Sequence, residues 1–197
     1  MTRIYFVRHA QPFHQHEDDR TRPLTIEGAK DTQIVLKTLA DKDINAFYCS
    51  PYRRSIDTIK STAKHFGMEI FTDERLRERE KGLNGNGGGG ISPLEMFRKR
   101  WADHDYHEVG GESIAMVQKR NIEALEDILA ENENNNIVIG THGTALSSIL
   151  NYYDPSFGCD DFLRIIDYMP YIIELDIEGG TLIDKKELAY IKKEFRK

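Results

Sequence analysis

Two short apolar runs in this chain each end in a histidine, and they limit the possible folds more than any other feature. The first, Ile4-Tyr5-Phe6-Val7, passes directly into Arg8-His9-Ala10. The second, Ile137-Val138-Ile139, passes into Gly140-Thr141-His142-Gly143. Runs this short and this apolar, closed by polar residues and glycine, predict buried strands. Segments of helical periodicity separate them from other short strands. Strands alternating with helices predict an α/β fold in three layers, α/β/α, around a mainly parallel sheet. In such open sheets ligands bind at the carboxyl ends of the strands. A fold that puts both runs in one sheet therefore brings His9, His142 and Arg8 to one edge.

The intervening chain fits this plan. Polar residues from Gln11 to Pro23 form a loop over the end of the first strand, and Thr25 caps a helix to about Ala40. A short strand, Ala46 to Cys49, leads into Ser50-Pro51, where Ser as N-cap and Pro at the first helical position predict a helix to Phe66 that stops at Gly67. Met68 to Phe71 is a third strand. The charged stretch Asp73 to Lys81 and the glycine-rich stretch Gly85 to Gly90 read as loop, the latter mobile, without the Gly-Lys-Ser/Thr of a phosphate-binding P-loop. Helices are expected from Ser92 to about Asp103, from Ser113 to Glu131 and from Thr144 to Leu150. Tyr171 to Ile177 and Thr181 to Ile183 pair through Gly179-Gly180, and Lys192 to Lys197 is expected as a solvated helix end. No repeat or linker divides the chain, so one domain over residues 1–197 is expected, with a helical and loop excursion at about 79–112.

Composition excludes some classes. A formal charge of -6 argues against a nucleic-acid binder driven by net charge, though a local arginine cluster still accommodates an anion. No apolar run is long enough to span a membrane, and no signal-peptide pattern opens the chain. The two cysteines, Cys49 and Cys159, are too few for a disulfide framework, which makes the cytoplasm the default location.

Four separated segments can meet at the sheet edge: Arg8-His9, Ser50 to Arg54, Arg75 to Arg79, and Thr141-His142. They bring two imidazoles, several guanidiniums and a carboxylate. A neutral imidazole held in the right tautomer can attack phosphorus. Guanidiniums bind phosphoryl oxygens and stabilise charge during in-line transfer. A carboxylic acid can protonate the leaving alkoxide and then take a proton from water. The set needs neither metal nor cofactor.

These motifs resemble the histidine phosphatase superfamily, the phosphoglycerate-mutase-like fold. Arg8-His9-Ala10 resembles its Arg-His-Gly signature. Pro23-Leu24-Thr25 with Gly28, then Ser50 to Thr58, Leu76-Arg77-Glu78, Gly110 to Ser113 and Gly140 to Thr144 resemble later family elements in matching order. The resemblance implies a phosphatase of small phosphate monoesters working through a phosphohistidine on His9. It implies Arg8 and Arg54 as phosphoryl ligands, His142 as a hydrogen-bond donor to the phosphoryl group, and Glu78 as general acid and base. Gly143 and Thr141 could add backbone amides, and Gln15 a side-chain amide. Arg53 reads as a solvated helix residue. Pro12 stands where the family often has a hydroxyl, so one phosphate contact is expected to be missing.

Two alternatives stay open: a phosphoglycerate mutase, which hands the phosphoryl group back to a bound acid, and a non-catalytic phosphoryl-binding module. The run His14-Gln15-His16-Glu17-Asp18 imitates a metal-hydrolase motif, but Asp19 stands where a further histidine is required. The expected partner is a small phosphorylated substrate, not nucleic acid or membrane, for a monomer or a homodimer. Phe97 and Trp101 are a possible dimer face if they lie outside the core.

Overall fold

The computed structural model describes residues 1–83 and 90–193; the glycine-rich stretch read as a mobile loop lies almost entirely outside them. The two apolar runs are neighbouring strands. β1 (Thr2–Arg8) pairs in parallel with β4 (Asn136–Thr141), with Arg8 opposite Thr141. β2 (Ala46–Cys49) pairs in parallel with β4, and β3 (Ile70–Thr72) with β2. β5 (Tyr168–Glu178) runs antiparallel to β1, and β6 (Thr181–Lys192) antiparallel to β5. The sheet order is β3-β2-β4-β1-β5-β6, with three of its five pairings parallel.

Alternation along β1 builds two cores. Ile4 and Phe6 join Leu125, Ile149 and Phe162 on one face, while Tyr5 and Val7 join Val35, Leu39 and Ile59 on the other. Those on the second face come from α2 (Gln33–Leu39), which follows α1 (Ile26–Asp31), and from α3 (Arg53–Phe66). On the other lie α4 (Pro93–Ala102), α5 (Ile114–Glu131), α6 (Gly143–Tyr153) and α7 (Cys159–Ile165). A strand covered on both faces must be apolar throughout, which is why both histidine-ended runs lack alternation. No helix among the described residues is long and apolar enough to cross a membrane.

Several elements differ from expectation. The helix expected from Thr25 to Ala40 is two helices, broken at Thr32, whose hydroxyl donates to the Ala29 carbonyl at 2.8 Å and competes with the helical backbone. Ser50 is not an N-cap: α3 starts at Arg53 with Tyr52 as its cap, and Pro51 precedes the helix. β3 begins two residues late, at Ile70. β6 extends nine residues past Ile183, so Lys192 ends a strand and not a helix, because long antiparallel pairing with β5 overrides weak local signals; residues 194–197 of the expected helix end lie outside the described residues. α7 was not foreseen, although Gly158 followed by Asp160 and Asp161 in a first turn is a helix start. Trp101 is buried, and Phe97 is half-buried, edge-on to Phe162 at 5.2 Å, so both belong to packing and not to a free face.

Candidate active site

Both histidines sit one residue beyond a strand. The His9 amide donates to the Thr141 carbonyl at 3.1 Å, one step past the end of β1, so the backbone ladder still fixes its position. The His9 and His142 ring centroids are 5.2 Å apart, inclined by 62°. His9 Nδ1 lies 2.8 Å from the Ala10 carbonyl oxygen. A carbonyl only accepts, so Nδ1 carries the proton and Nε2 keeps its lone pair. His142 has the opposite arrangement. Its Nε2 lies 2.7 Å from Ser50 Oγ, and its Nδ1 has no hydrogen-bond partner among the described residues. The Tyr52 amide donates to the same serine oxygen at 3.3 Å. The arrangement that uses the serine proton gives it to Nε2, leaving Nδ1 as a donor. Burial, and then the Arg54 and Arg8 charges, hold His9 well below the ordinary imidazole range. Burial first, with Arg54, His9 and Arg8 behind it, does the same for His142. Both rings are neutral at neutral pH.

The two arginines are both buried, and the charge of each acts on both histidines. Arg8 is buried, and its Nη1 donates to the Ile165 carbonyl at the end of α7 at 2.7 Å. Burial lowers its pKa to about 10, opposed by Glu78 and Asp167, so it stays cationic at neutral pH. Gly143 makes room for it: a Cβ there would stand 3.3 Å from Arg8 Cζ and Nη2. Arg54, in the first turn of α3, is 3% exposed. Its Nη1 donates to the Asp19 carbonyl at 2.6 Å, and its guanidinium lies 5.0 Å from the Tyr52 ring centroid. Thr58, one turn on, donates to the Arg54 carbonyl at 2.7 Å and accepts from the Ala10 amide at 2.9 Å. That hydroxyl joins the helix carrying Arg54 to the strand exit carrying His9.

Glu78 caps a helix from another part of the chain. Its carboxylate accepts from the Thr144 amide at 3.1 Å, the Ala145 amide at 3.2 Å and the Arg79 amide at 2.8 Å. α6 begins there without a side-chain cap of its own, so the carboxylate satisfies amides the helix leaves open and sits at its positive end. The segment carrying Glu78 is strapped down. Arg120 Nη1 donates to the Arg75 and Arg77 carbonyls at 2.6 and 2.7 Å, and its Nη2 to the Glu78 carbonyl at 3.1 Å. Glu112 receives Arg120 Nε at 2.9 Å, Arg77 Nη2 at 2.7 Å and the Glu80 amide at 2.9 Å. Beyond it, Gly82 has φ +64 and packs so tightly that a Cβ would meet the Gly111 nitrogen at 2.7 Å.

The edge thus assembles Arg8, His9, Arg54, Glu78, His142 and Gly143, all singled out in the sequence. Gln15 is not among them: it is exposed, with no hydrogen bond among the described residues. Arg75 is turned away onto Asp73 and Asp127, and Arg53 pairs with Asp57 on the surface of α3. His104 packs on Trp101 and Tyr106 lies under Lys99, outside the crevice. Ser50, Asp19, Thr58 and Arg120 were missed, since each acts through a partner at least 35 residues away in the chain. No group of three or more His, Cys, Asp or Glu among the described residues is placed to hold a metal ion.

A crevice of neutral histidines, buried guanidiniums and a carboxylate at the carboxyl edge of a three-layer α/β sheet defines a class of phosphoryl-handling enzyme. The family model of the histidine phosphatase superfamily (branch 1) matches residues 4–180, and the chain belongs to that superfamily. It is 25% identical to phosphoserine phosphatase 1 of Hydrogenobacter thermophilus over 180 residues, 82% of this chain and 83% of that protein. It is 28% identical to the probable phosphoglycerate mutase GpmB of Serratia proteamaculans over 159 residues, 77% of this chain and 74% of that one. Among solved structures, Bacillus stearothermophilus YhfR superposes with a TM-score of 0.75 at 25% identity, over 92% of this chain and 94% of that one. The Entamoeba histolytica phosphoserine phosphatase in complex with 3-phosphoglyceric acid shares the fold, with a TM-score of 0.73 at 18% identity over 98% of each chain.

Proposed function

We propose that this chain is a phosphatase of small phosphate monoesters that works through a phosphohistidine on His9. The observation that carries this reading is the His9 ring itself: Nδ1 is tied to its own chain, and Nε2 is left as a neutral nucleophile beside Arg8, Arg54 and His142. Nε2 attacks phosphorus in line with the ester oxygen; the N–P bond forms as the P–O bond breaks. Arg8, Arg54 and His142 Nδ1–H stabilise the charge on the phosphoryl oxygens. Protonated Glu78 gives its proton to the departing alkoxide. In the second half, water attacks the phosphohistidine, Glu78 takes the water's proton, and phosphate leaves His9 as it began.

The kinship with phosphoserine phosphatases supports a small acidic monoester as substrate. A second reading has a basis too, since the chain is also similar to probable phosphoglycerate mutases: a bound acid in place of water would take the phosphoryl group back. We read residues 1–197 as one domain, a reading supported by a site that draws on segments as far apart as Arg8 and Ile165. The unpaired Cys49 and Cys159 suit the reducing cytoplasm.

One incubation tests these readings. Wild type and His9→Ala are given p-nitrophenyl phosphate and 3-phosphoglycerate in EDTA. Phosphate release that survives EDTA and disappears in the variant is expected. Conversion of 3- to 2-phosphoglycerate with little phosphate release would make the chain a mutase. No turnover of any monoester, with no labelling of His9, would leave a binding module.

A further inference from the structure

Of the two buried arginines that act on the histidines, Arg54 alone has a carboxylate against it. Arg8 is held by the Ile165 carbonyl and has no carboxylate at ion-pair distance among the described residues. Arg54 meets Asp19 three times. Its Nη1 donates to the Asp19 carbonyl at 2.6 Å and to Oδ1 at 3.3 Å, and its Nη2 donates to Oδ2 at 3.3 Å. Two nitrogens facing two carboxylate oxygens is the fork that a guanidinium also offers to two phosphoryl oxygens. The carboxylate therefore takes terminal donors that a phosphoryl group would use.

The carboxylate is not what holds Arg54 in place. The short bond is to the backbone carbonyl of Asp19, and the guanidinium also lies 5.0 Å from the Tyr52 ring centroid. The loop has anchors of its own as well. The Arg53 amide donates to the Arg20 carbonyl at 2.9 Å, Arg20 pairs with Glu74, and Arg22 Nη2 donates to the His16 carbonyl at 3.1 Å. What the Asp19 side chain adds is charge. Its carboxylate is shared with Arg22, which lies closer to it than Arg54 does. The Asp19 side chain is 34% exposed against 4% for Arg54, so it has room to turn towards Arg22 and solvent while the buried guanidinium stays.

We propose that Asp19 is a built-in competitor for the phosphoryl site: its carboxylate fills the Arg54 fork in the free protein, and the phosphoryl group of substrate or product displaces it towards Arg22. This proposal rests on the phosphatase reading, in which Arg54 is a phosphoryl ligand. The competing charge weakens binding of every phosphorylated species, product included, and so speeds the departure of inorganic phosphate. The sign separates this role from that of a positioning residue. Loss of a positioning residue weakens phosphate binding, whereas loss of a competitor strengthens it.

Calorimetric titration of inorganic phosphate into the protein reads that sign. Asp19→Asn keeps the backbone carbonyl and a side-chain oxygen but removes the charge, and should tighten phosphate binding by roughly three- to tenfold. Asp19→Ser replaces it should the asparagine variant fail to fold by circular dichroism. Asp18→Asn is the control. It makes the same charge change on the same loop, but Asp18 accepts from the Arg20 amide at 3.0 Å and the Thr21 hydroxyl at 2.7 Å and does not touch Arg54, so phosphate affinity should be unchanged. Unchanged or weaker binding in the Asp19 variant, or an equal gain in Asp18→Asn, would overturn the proposal. Monoester hydrolysis by wild type, lost in His9→Ala, with no gain in phosphate affinity in Asp19→Asn, sinks this proposal alone. The gain without any monoester hydrolysis keeps it and sinks the phosphatase reading.

Discussion

His9 and His142 are both buried neutral imidazoles, and their neighbours give them opposite tautomers. The Ala10 carbonyl accepts the Nδ1–H of His9 and leaves the Nε2 lone pair free; the Ser50 hydroxyl engages Nε2 of His142 and leaves Nδ1 as a donor. Ser50→Ala should therefore lower kcat/KM, since it frees His142 to adopt the other tautomer, while leaving the fold intact by circular dichroism. Glu78 is tested through its proton. Glu78→Gln should lose roughly 10²- to 10⁴-fold in kcat on alkyl phosphates, whose leaving oxygen needs protonation, and much less on p-nitrophenyl phosphate. An equal loss on both would remove Glu78 from the acid's role.

Among the elements, the segment from Arg75 to Gly82 is the one whose placement is least local. It has little regular structure, only a single turn at Glu74–Leu76, and is held by Arg120, Glu112 and close glycine contacts. Removing Arg120 strands three carbonyls and a partly buried carboxylate. Arg120→Met should cost about 2–4 kcal/mol in urea unfolding, and its kcat loss should be greater on alkyl than on aryl esters, because Glu78 rides on the strap. The approach of α1 to the loop after β1 is equally close. A Cβ on Gly28 would stand 2.3 Å from the Gln11 carbonyl oxygen, so Gly28→Ala should destabilise by about 1–3 kcal/mol, read from the shift in Tm.

At the scale of the whole molecule, the sheet edge concentrates groups that resist protonation, and this links the site to stability. His9 and His142 have folded pKa values well below the 6.5 of a free imidazole, through burial and neighbouring guanidiniums. Below pH 6.5 the unfolded chain takes up protons that the folded chain does not, so stability falls as pH falls and is independent of these groups above that value. The Tm should drop from about pH 6.5 to about pH 5, and His142→Asn should show a shallower drop over that window. What the sequence determined by itself was periodic or adjacent: the apolar strands, the alternation with helices, the residues immediately past each strand end, and the motif order that led to His9, Arg8, Arg54, Glu78 and His142. The length of β6, the break at Thr32, the task of Ser50 and the strap around Arg120 were decided only in three dimensions. Each depends on a hydrogen bond or a close contact whose energy exceeds a weak local preference, often with a partner dozens of residues away, and such a partner leaves no period in the chain to read.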